Sequence, residues 1–216
     1  MVAQPSWWHF RADKHDADIF KAVCIEDEYK VFDMLKGATV LDLGAHIGSF
    51  SYLASCRHAK RVWAFEPYPD NYALLKANMA NQPCVTLFNQ AVVGVGLEGA
   101  GKMDVPVPEN QSCWPGIRDY GTLAVDCVAI DDVLRQMGYV DIMKIDIEGS
   151  EFPIFRTTKE LGRVGFIAGE YHDGVDAGRH EDIEAVLKAA GFKTEFHIPP
   201  AHAPLQTWDG FWAWRE

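Results

Sequence analysis

Apolar positions along the chain follow two different periods. Short runs rich in β-branched and aromatic residues predict strands near 39–44, 61–66, 85–92, 140–147, 164–171, 192–198 and 211–215. Stretches with helical spacing lie between many of them, such as Asn71 to Asn81 and Arg179 to Ala190. Strands alternating with helices predict an α/β fold, a three-layer sandwich built on a mostly parallel seven-stranded sheet. The last two runs are separated by Pro199-Pro200 and no helix, so they are expected to form an antiparallel C-terminal hairpin at one edge. From 93 to 124 the pattern breaks into Gly, Pro and polar residues. Long loops in compact domains are often functional, and 93–124 is expected to be an insertion that walls a substrate pocket. Trp114 and Tyr120 within it, together with Trp7-Trp8-His9-Phe10, are candidates to cover the open end of a cleft. Alternatively, Trp7 and Trp8 serve to dock the N-terminal segment.

The most specific pattern is Thr39-Val40-Leu41-Asp42-Leu43-Gly44-Ala45-His46-Ile47-Gly48-Ser49-Phe50, a buried strand that turns through glycines into a helix. Gly44 and Gly48 bracket the turn where a side chain is expected to collide with a bound ligand. The spacing is neither G-x-G-x-x-G nor a P-loop. It suits a ligand carrying an ammonium group and a ribose but no pyrophosphate. The next apolar run ends in Glu66-Pro67, at roughly the twenty-residue distance a βαβ unit leaves for a carboxylate that binds ribose hydroxyls. In an open parallel sheet Asp42, Gly44 and Glu66 are expected to converge at the carboxyl ends of the strands. A third segment, Val140 to Glu151, carries Lys144 in mid-strand and then Asp146, Glu148 and Glu151 around Gly149. Asp146 and Glu148 are expected on one side of the extended chain, whereas Glu151 falls in a first helical turn that favours negative charge.

Composition narrows the rest. The chain has 216 residues, of which 48% are apolar, enough for one domain spanning 1–216 with a full core. Residues 1–36 are expected to form an N-terminal helical cap. A net charge of −11 without a Lys/Arg cluster argues against a nucleic-acid partner and favours a small-molecule one. Five scattered cysteines include no C-x-x-C pair, so a reducing cytoplasmic location is expected, with neither zinc nor disulfides. No apolar run has the length of a membrane span, and the histidines lack metal-ligand spacing.

The combination of Val-Leu-Asp-Leu-Gly-Ala-His-Ile-Gly-Ser-Phe-Ser, Phe65-Glu66-Pro67, Asn89-Gln90-Ala91-Val92 and Lys144-Ile145-Asp146-Ile147-Glu148-Gly149-Ser150-Glu151 resembles the FkbM family of S-adenosylmethionine-dependent methyltransferases. The segment from Asp18 to Tyr29 also resembles the element preceding the glycine loop in that family. His46 departs from the family pattern, which most often has Asn there. The resemblance implies a Rossmann-like class I methyltransferase fold that binds S-adenosylmethionine and releases S-adenosylhomocysteine. It implies cofactor contacts at Tyr29, Asp42, Gly44, His46, Gly48, Glu66, Asn89, Gln90, Ala91 and Asp146. Of these, Gly44 and Gly48 lie against the methionine part, Glu66 takes the ribose, Asn89 to Ala91 border the adenine and Asp146 faces the amino group or the substrate. For catalysis, Glu170-Tyr171-His172 at the end of the fifth strand is expected to place a carboxylate and an imidazole on the cleft side; His172 is the first candidate base because imidazole titrates near neutral pH, with Asp146 and Glu148 next. Mg²⁺ on Asp146 and Glu148 is compatible with the sequence but not demanded by it, and no metal is assigned. The expected reaction is methyl transfer to an oxygen of a small-molecule or sugar-like acceptor. Rival readings are N-methylation of a small molecule and a cofactor-binding module without transferase activity. Oligomeric state is left open.

Overall fold

A computed structural model describes residues 2–11, 15–103, 123–148, 150–172, 178–198 and 208–215. Helix α1 spans Asp16–Cys24 and precedes β1 (Thr39–Leu43), α2 (Ser49–Cys56), β2 (Arg61–Phe65), α3 (Pro69–Asn78) and β3 (Val85–Phe88). Then come β4 (Ala91–Val93), β5 (Gly99–Met103), β6 (Leu123–Ala129), α4 (Ile130–Met137), β7 (Val140–Ile145) and α5 (Glu151–Thr157). The last elements are β8 (Val164–His172), α6 (His180–Ala189), β9 (Lys193–Phe196) and β10 (Trp208–Trp214).

The main sheet has seven strands in the order β3-β2-β1-β7-β8-β10-β9. β10 runs antiparallel to both β8 and β9, and the remaining pairs are parallel. Every residue of β1 is buried, as a central parallel strand covered on both faces requires. Side chains alternate across it. Leu41 and Leu43 face a core shared with Met143, Ile145, Phe152 and Phe155, whereas Val40 joins Val62, Phe50 and Leu75 on the other side. This is the expected three-layer arrangement, with its antiparallel C-terminal hairpin.

Several expectations need correction. The run predicted as one strand over 85–92 is two, because the chain leaves the main sheet at Asn89-Gln90. β4 belongs to a second sheet of order β4-β6-β5. Part of 93–124 is therefore the strand β5, paired antiparallel with β6, rather than loop. Glycines obscure β5, and Asp126 interrupts β6, whose burial alternates as in a sheet covered on one face. Trp114 and Tyr120 lie outside the described residues. Helix α3 begins at Pro69, a residue suited to a first helical position because its missing N–H has no partner there anyway. Within 1–36 the described helix is α1 alone.

Trp8 packs 5.0 Å from the rings of both Phe20 and Tyr52, and Trp7 meets Tyr52 edge-on, so the pair docks the N-terminal segment on α1 and α2. The C-terminal hairpin is tied to the same region. Trp212 Nε1 donates to Tyr29 O at 3.1 Å, and Lys30 Nζ sits 3.4 Å above the Trp212 ring while pairing with Glu195. Among the described residues no helix is long and apolar enough to cross a membrane.

Candidate active site

A cavity of about 430 Å³ opens beyond the carboxyl ends of β1, β2, β7 and β8, where ligands of open α/β sheets bind. Tyr29, Gly44, His46, Glu66, Gln90, Ala91, Asp146, Glu148 and His172 all line it. Asp42, Gly48 and Asn89 are not among its lining residues. Asp42 lies wholly buried beneath the loop, accepting a hydrogen bond from Ser51 Oγ at 2.6 Å. Asn89 donates through Nδ2 to the carbonyls of Glu66 and Pro67, which secures the turn after β2.

Both glycines are required by the protein itself. Gly44 has φ +77°, and a Cβ there would stand 1.8 Å from Asp146 O. The turn after β1 and the end of β7 are thus in direct backbone contact. Gly48 caps α2 in the left-handed region at φ +102°, with space for a Cβ closed by Leu75.

At the β2 side, Glu66 is 5% exposed. Its Oε2 accepts from His46 N at 2.8 Å, and its Oε1 accepts from Tyr68 N at 2.9 Å and Asn71 Nδ2 at 3.4 Å. Burial raises its pKa to about 7 against the pull of those hydrogen bonds. His46 adopts φ +52°, a left-handed conformation that costs a non-glycine residue on the order of 1–3 kcal/mol and persists only when neighbours hold it. The neighbour is Arg11, whose Nη2 lies 2.6 Å from His46 Nε2. Arginine only donates, so Nε2 accepts and the imidazole is neutral with its proton on Nδ1. Burial, and next the Arg11 charge, lower the His46 pKa to about 4.

At the β7 and β8 side, charges crowd together. Lys144 reads in the sequence as an interruption of an apolar strand, yet its Nζ donates to Gly44 O at 2.7 Å and Leu43 O at 3.3 Å. It also lies 3.6 Å from Asp146 and 3.7 Å from Asp42. Burial disfavours its charge, but those two carboxylates outweigh burial and raise its pKa. Tyr29 OH donates to Asp146 Oδ2 at 3.4 Å. The strand ends at Ile145, and Glu148 turns into the left-handed region at φ +55°, so Asp146 and Glu148 reach the cavity from a turn and not from an extended strand. Glu151, the first residue of α5, accepts from Ile147 N at 2.9 Å across the turn that precedes the helix.

The expectation that His172 is poised near neutral pH is corrected. Its Nε2 lies 3.2 Å from Glu148 and its Nδ1 3.3 Å from Glu151. Burial opposes the charge, but the two carboxylates overcome it and raise the pKa to about 11. A histidine so held is an imidazolium at neutral pH and has no lone pair to act as base. Glu170, expected from the sequence on the cleft side beside His172, also lines the cavity. Burial, then repulsion from Asp146 and Glu28, raise its pKa to about 9, so it stands protonated. Asp146, Glu148 and His172 offer one donor atom each within 4.8 Å of one another, close enough to hold a metal ion. In the described arrangement the Lys144 ammonium and the His172 imidazolium already balance these carboxylates.

A family model of the Methyltransferase FkbM domain matches residues 42–194, from the acid under the glycine loop to β9. The chain belongs to the FkbM methyltransferase family. It is therefore a methyltransferase dependent on S-adenosylmethionine. It is 23% identical to the hexuronic acid methyltransferase AglP of Haloferax volcanii, over 87% of this chain and 74% of that one. It is 25% identical to the methyltransferase sdnD of Sordaria araneosa, over 81% of each chain. In fold it is similar to a solved structure described as a putative rRNA-methylase from Clostridium thermocellum, with a TM-score of 0.55 at 12% identity, covering 88% of this chain and 94% of that one.

The cavity's residues fit the family's cofactor. Its volume suits a nucleoside-sized molecule. A buried carboxylate at one end and Asp146 at the other answer to hydroxyls and to cationic groups. Ser49 on the same wall has a buried Oγ without a hydrogen-bond partner among the described residues.

Proposed function

We propose that this FkbM methyltransferase methylates an oxygen of a small-molecule or sugar-like acceptor. The observation that carries the reading is the continuity of the cavity, which joins the Glu66 end to the cluster of Asp146, Glu148, Glu170 and His172. Bound S-adenosylmethionine supplies an electrophilic methyl group on a sulfonium centre. The residues of the chain then have separable tasks. Glu66 accepts from the ribose hydroxyls, and Gln90, Ala91 and Val92 form the wall beside the adenine. Asp146 attracts the amino group or sulfonium, with an attraction strengthened where water is partly excluded. Glu148 would take the proton of the acceptor hydroxyl and so free that oxygen as the nucleophile toward the methyl group the cofactor would supply. Burial raises the pKa of Glu148, which makes it a better base than an exposed carboxylate, and His172 keeps it aimed. His172 is thus a positioning residue here and not the base. The name of the haloarchaeal relative, a hexuronic acid methyltransferase, supports a sugar-like acceptor.

Transfer to an amine is the second reading, favoured by the acidic side chains of Glu28, Asp146 and Glu170 around one part of the wall. The test is release of S-adenosylhomocysteine across matched panels of sugars, phenols and amines. Turnover with a hydroxyl acceptor, lowered by about 100-fold in Glu148→Gln, is expected. Turnover with amines alone, or none with any hydroxyl acceptor, overturns the oxygen assignment.

A further inference from the structure

We infer that Arg11, in the segment before α1, is a positioning residue for the cofactor's ribose, because it braces both carboxylate oxygens of Glu66 through two separate arms. The inference rests on the S-adenosylmethionine site described above, and on contacts that the sequence gives no means of pairing.

The first arm runs through Asn71. Arg11 Nη1 donates to Asn71 Oδ1 at 2.7 Å, and an arginine has no acceptor to offer in return. The amide of Asn71 is thereby oriented, with Nδ2 turned to Glu66 Oε1 at 3.4 Å. The second arm runs through His46. Arg11 Nη2 holds the ring at Nε2, and among the described residues it is the ring's hydrogen-bond partner. Held there, residue 46 keeps the left-handed conformation that aims its backbone N–H at Glu66 Oε2, 2.8 Å away.

Arg11 is itself fixed. Asp16, fully buried at the start of α1, accepts from Arg11 N, Nε and Nη2 at 2.7–3.0 Å. A buried ion pair is a poor device for stability alone, since desolvating both charges offsets most of their attraction. Here all three side-chain nitrogens of Arg11 are engaged, by Asp16 and by the two residues that in turn donate to Glu66. With Tyr68 N, these donors occupy three of the roughly four acceptor directions of the carboxylate, and the cavity side is left for hydroxyl donors. A carboxylate held in place before the ligand arrives binds more tightly than one that must be ordered on binding.

The test pairs a variant with a ligand lacking the group concerned. Intact protein, Arg11→Met and Arg11→Lys are titrated calorimetrically with S-adenosylhomocysteine and with its 2′-deoxy analogue, and thermal melting verifies folding. The intact protein is expected to prefer the ribose form by about tenfold, and Arg11→Met to lose that preference to about twofold while its affinity for the 2′-deoxy ligand is kept. Arg11→Lys keeps the charge but cannot span both arms, so it falls between. Equal weakening of both ligands marks Arg11 as merely structural and overturns the inference, as does an unchanged preference. If Arg11→Met does not fold, Asn71→Ala severs one arm and carries the same comparison. Failure of the intact protein to bind either ligand overturns the cofactor site itself, which separates that failure from the failure of the Arg11 relay.

Discussion

Glu66 shows two demands meeting on one side chain: it must be buried to meet a ribose, and burial resists its charge. Ribose hydroxyls donate to the ionised form, so cofactor binding competes with protonation. Affinity for S-adenosylhomocysteine is therefore expected to rise with pH, with a midpoint near the Glu66 pKa of about 7, and this rise is expected to vanish in Glu66→Gln. Calorimetry across that range checks it. Lys144 gives a second prediction. Lys144→Met strands Asp42 and Asp146 without their buried cation and is expected to cost about 3–5 kcal/mol of stability in denaturant titrations. The acids Glu66, Asp146 and Glu148 were legible because each stands at a fixed distance from a strand end. The roles of Arg11 and Lys144 were not, since their meaning lies in contacts with residues remote in sequence, such as the hundred-residue separation of Lys144 and Gly44.

Elements show the same division. The central strands β1 and β7 of the main sheet were legible because both their faces are covered, which writes long apolar runs. The small sheet was hidden because two of the five residues of β5 are glycine and β6 is buried on one face only. The step from β3 to β4 was hidden too, since two polar residues inside an apolar run do not announce a change of sheet. At the β1 turn, Gly44→Ala is expected to do more damage than a lost ligand contact. Its Cβ would collide with the Asp146 backbone, forcing β1 and β7 apart at their carboxyl ends. The expected outcome is a loss of about 2 kcal/mol or more in stability together with loss of cofactor binding, measured by thermal melting and calorimetry.

For the molecule as a whole, the site concentrates proton equilibria in one place. Glu66 and Glu170 both hold protons at higher pH than ordinary carboxylates, and a ligand bearing an ammonium and a sulfonium favours their ionised forms. Binding of S-adenosylmethionine near pH 7 is therefore expected to release protons, seen as a calorimetric enthalpy that differs between phosphate and Tris buffers. Equal enthalpies would contradict it. His172 acts on stability in a defined window. Its pKa is raised from an ordinary 6.5 to about 11, so the stabilisation from its charge is complete below 6.5 and is lost as pH rises through 11. The stability deficit of His172→Gln is thus expected to be largest near pH 6 and to shrink on the way to pH 10, as read by denaturant titration.

The bond from Trp212 to the Tyr29 carbonyl has a consequence in time. β10 is translated after every other strand of its sheet, yet it must slide between β8 and β9 and grip the segment that carries Tyr29 to the cavity wall. A nascent chain lacking that strand has the glycine loop, Glu66 and Asp146 already synthesised but one wall unanchored. Cofactor binding during synthesis is therefore expected only once β10 has joined the sheet.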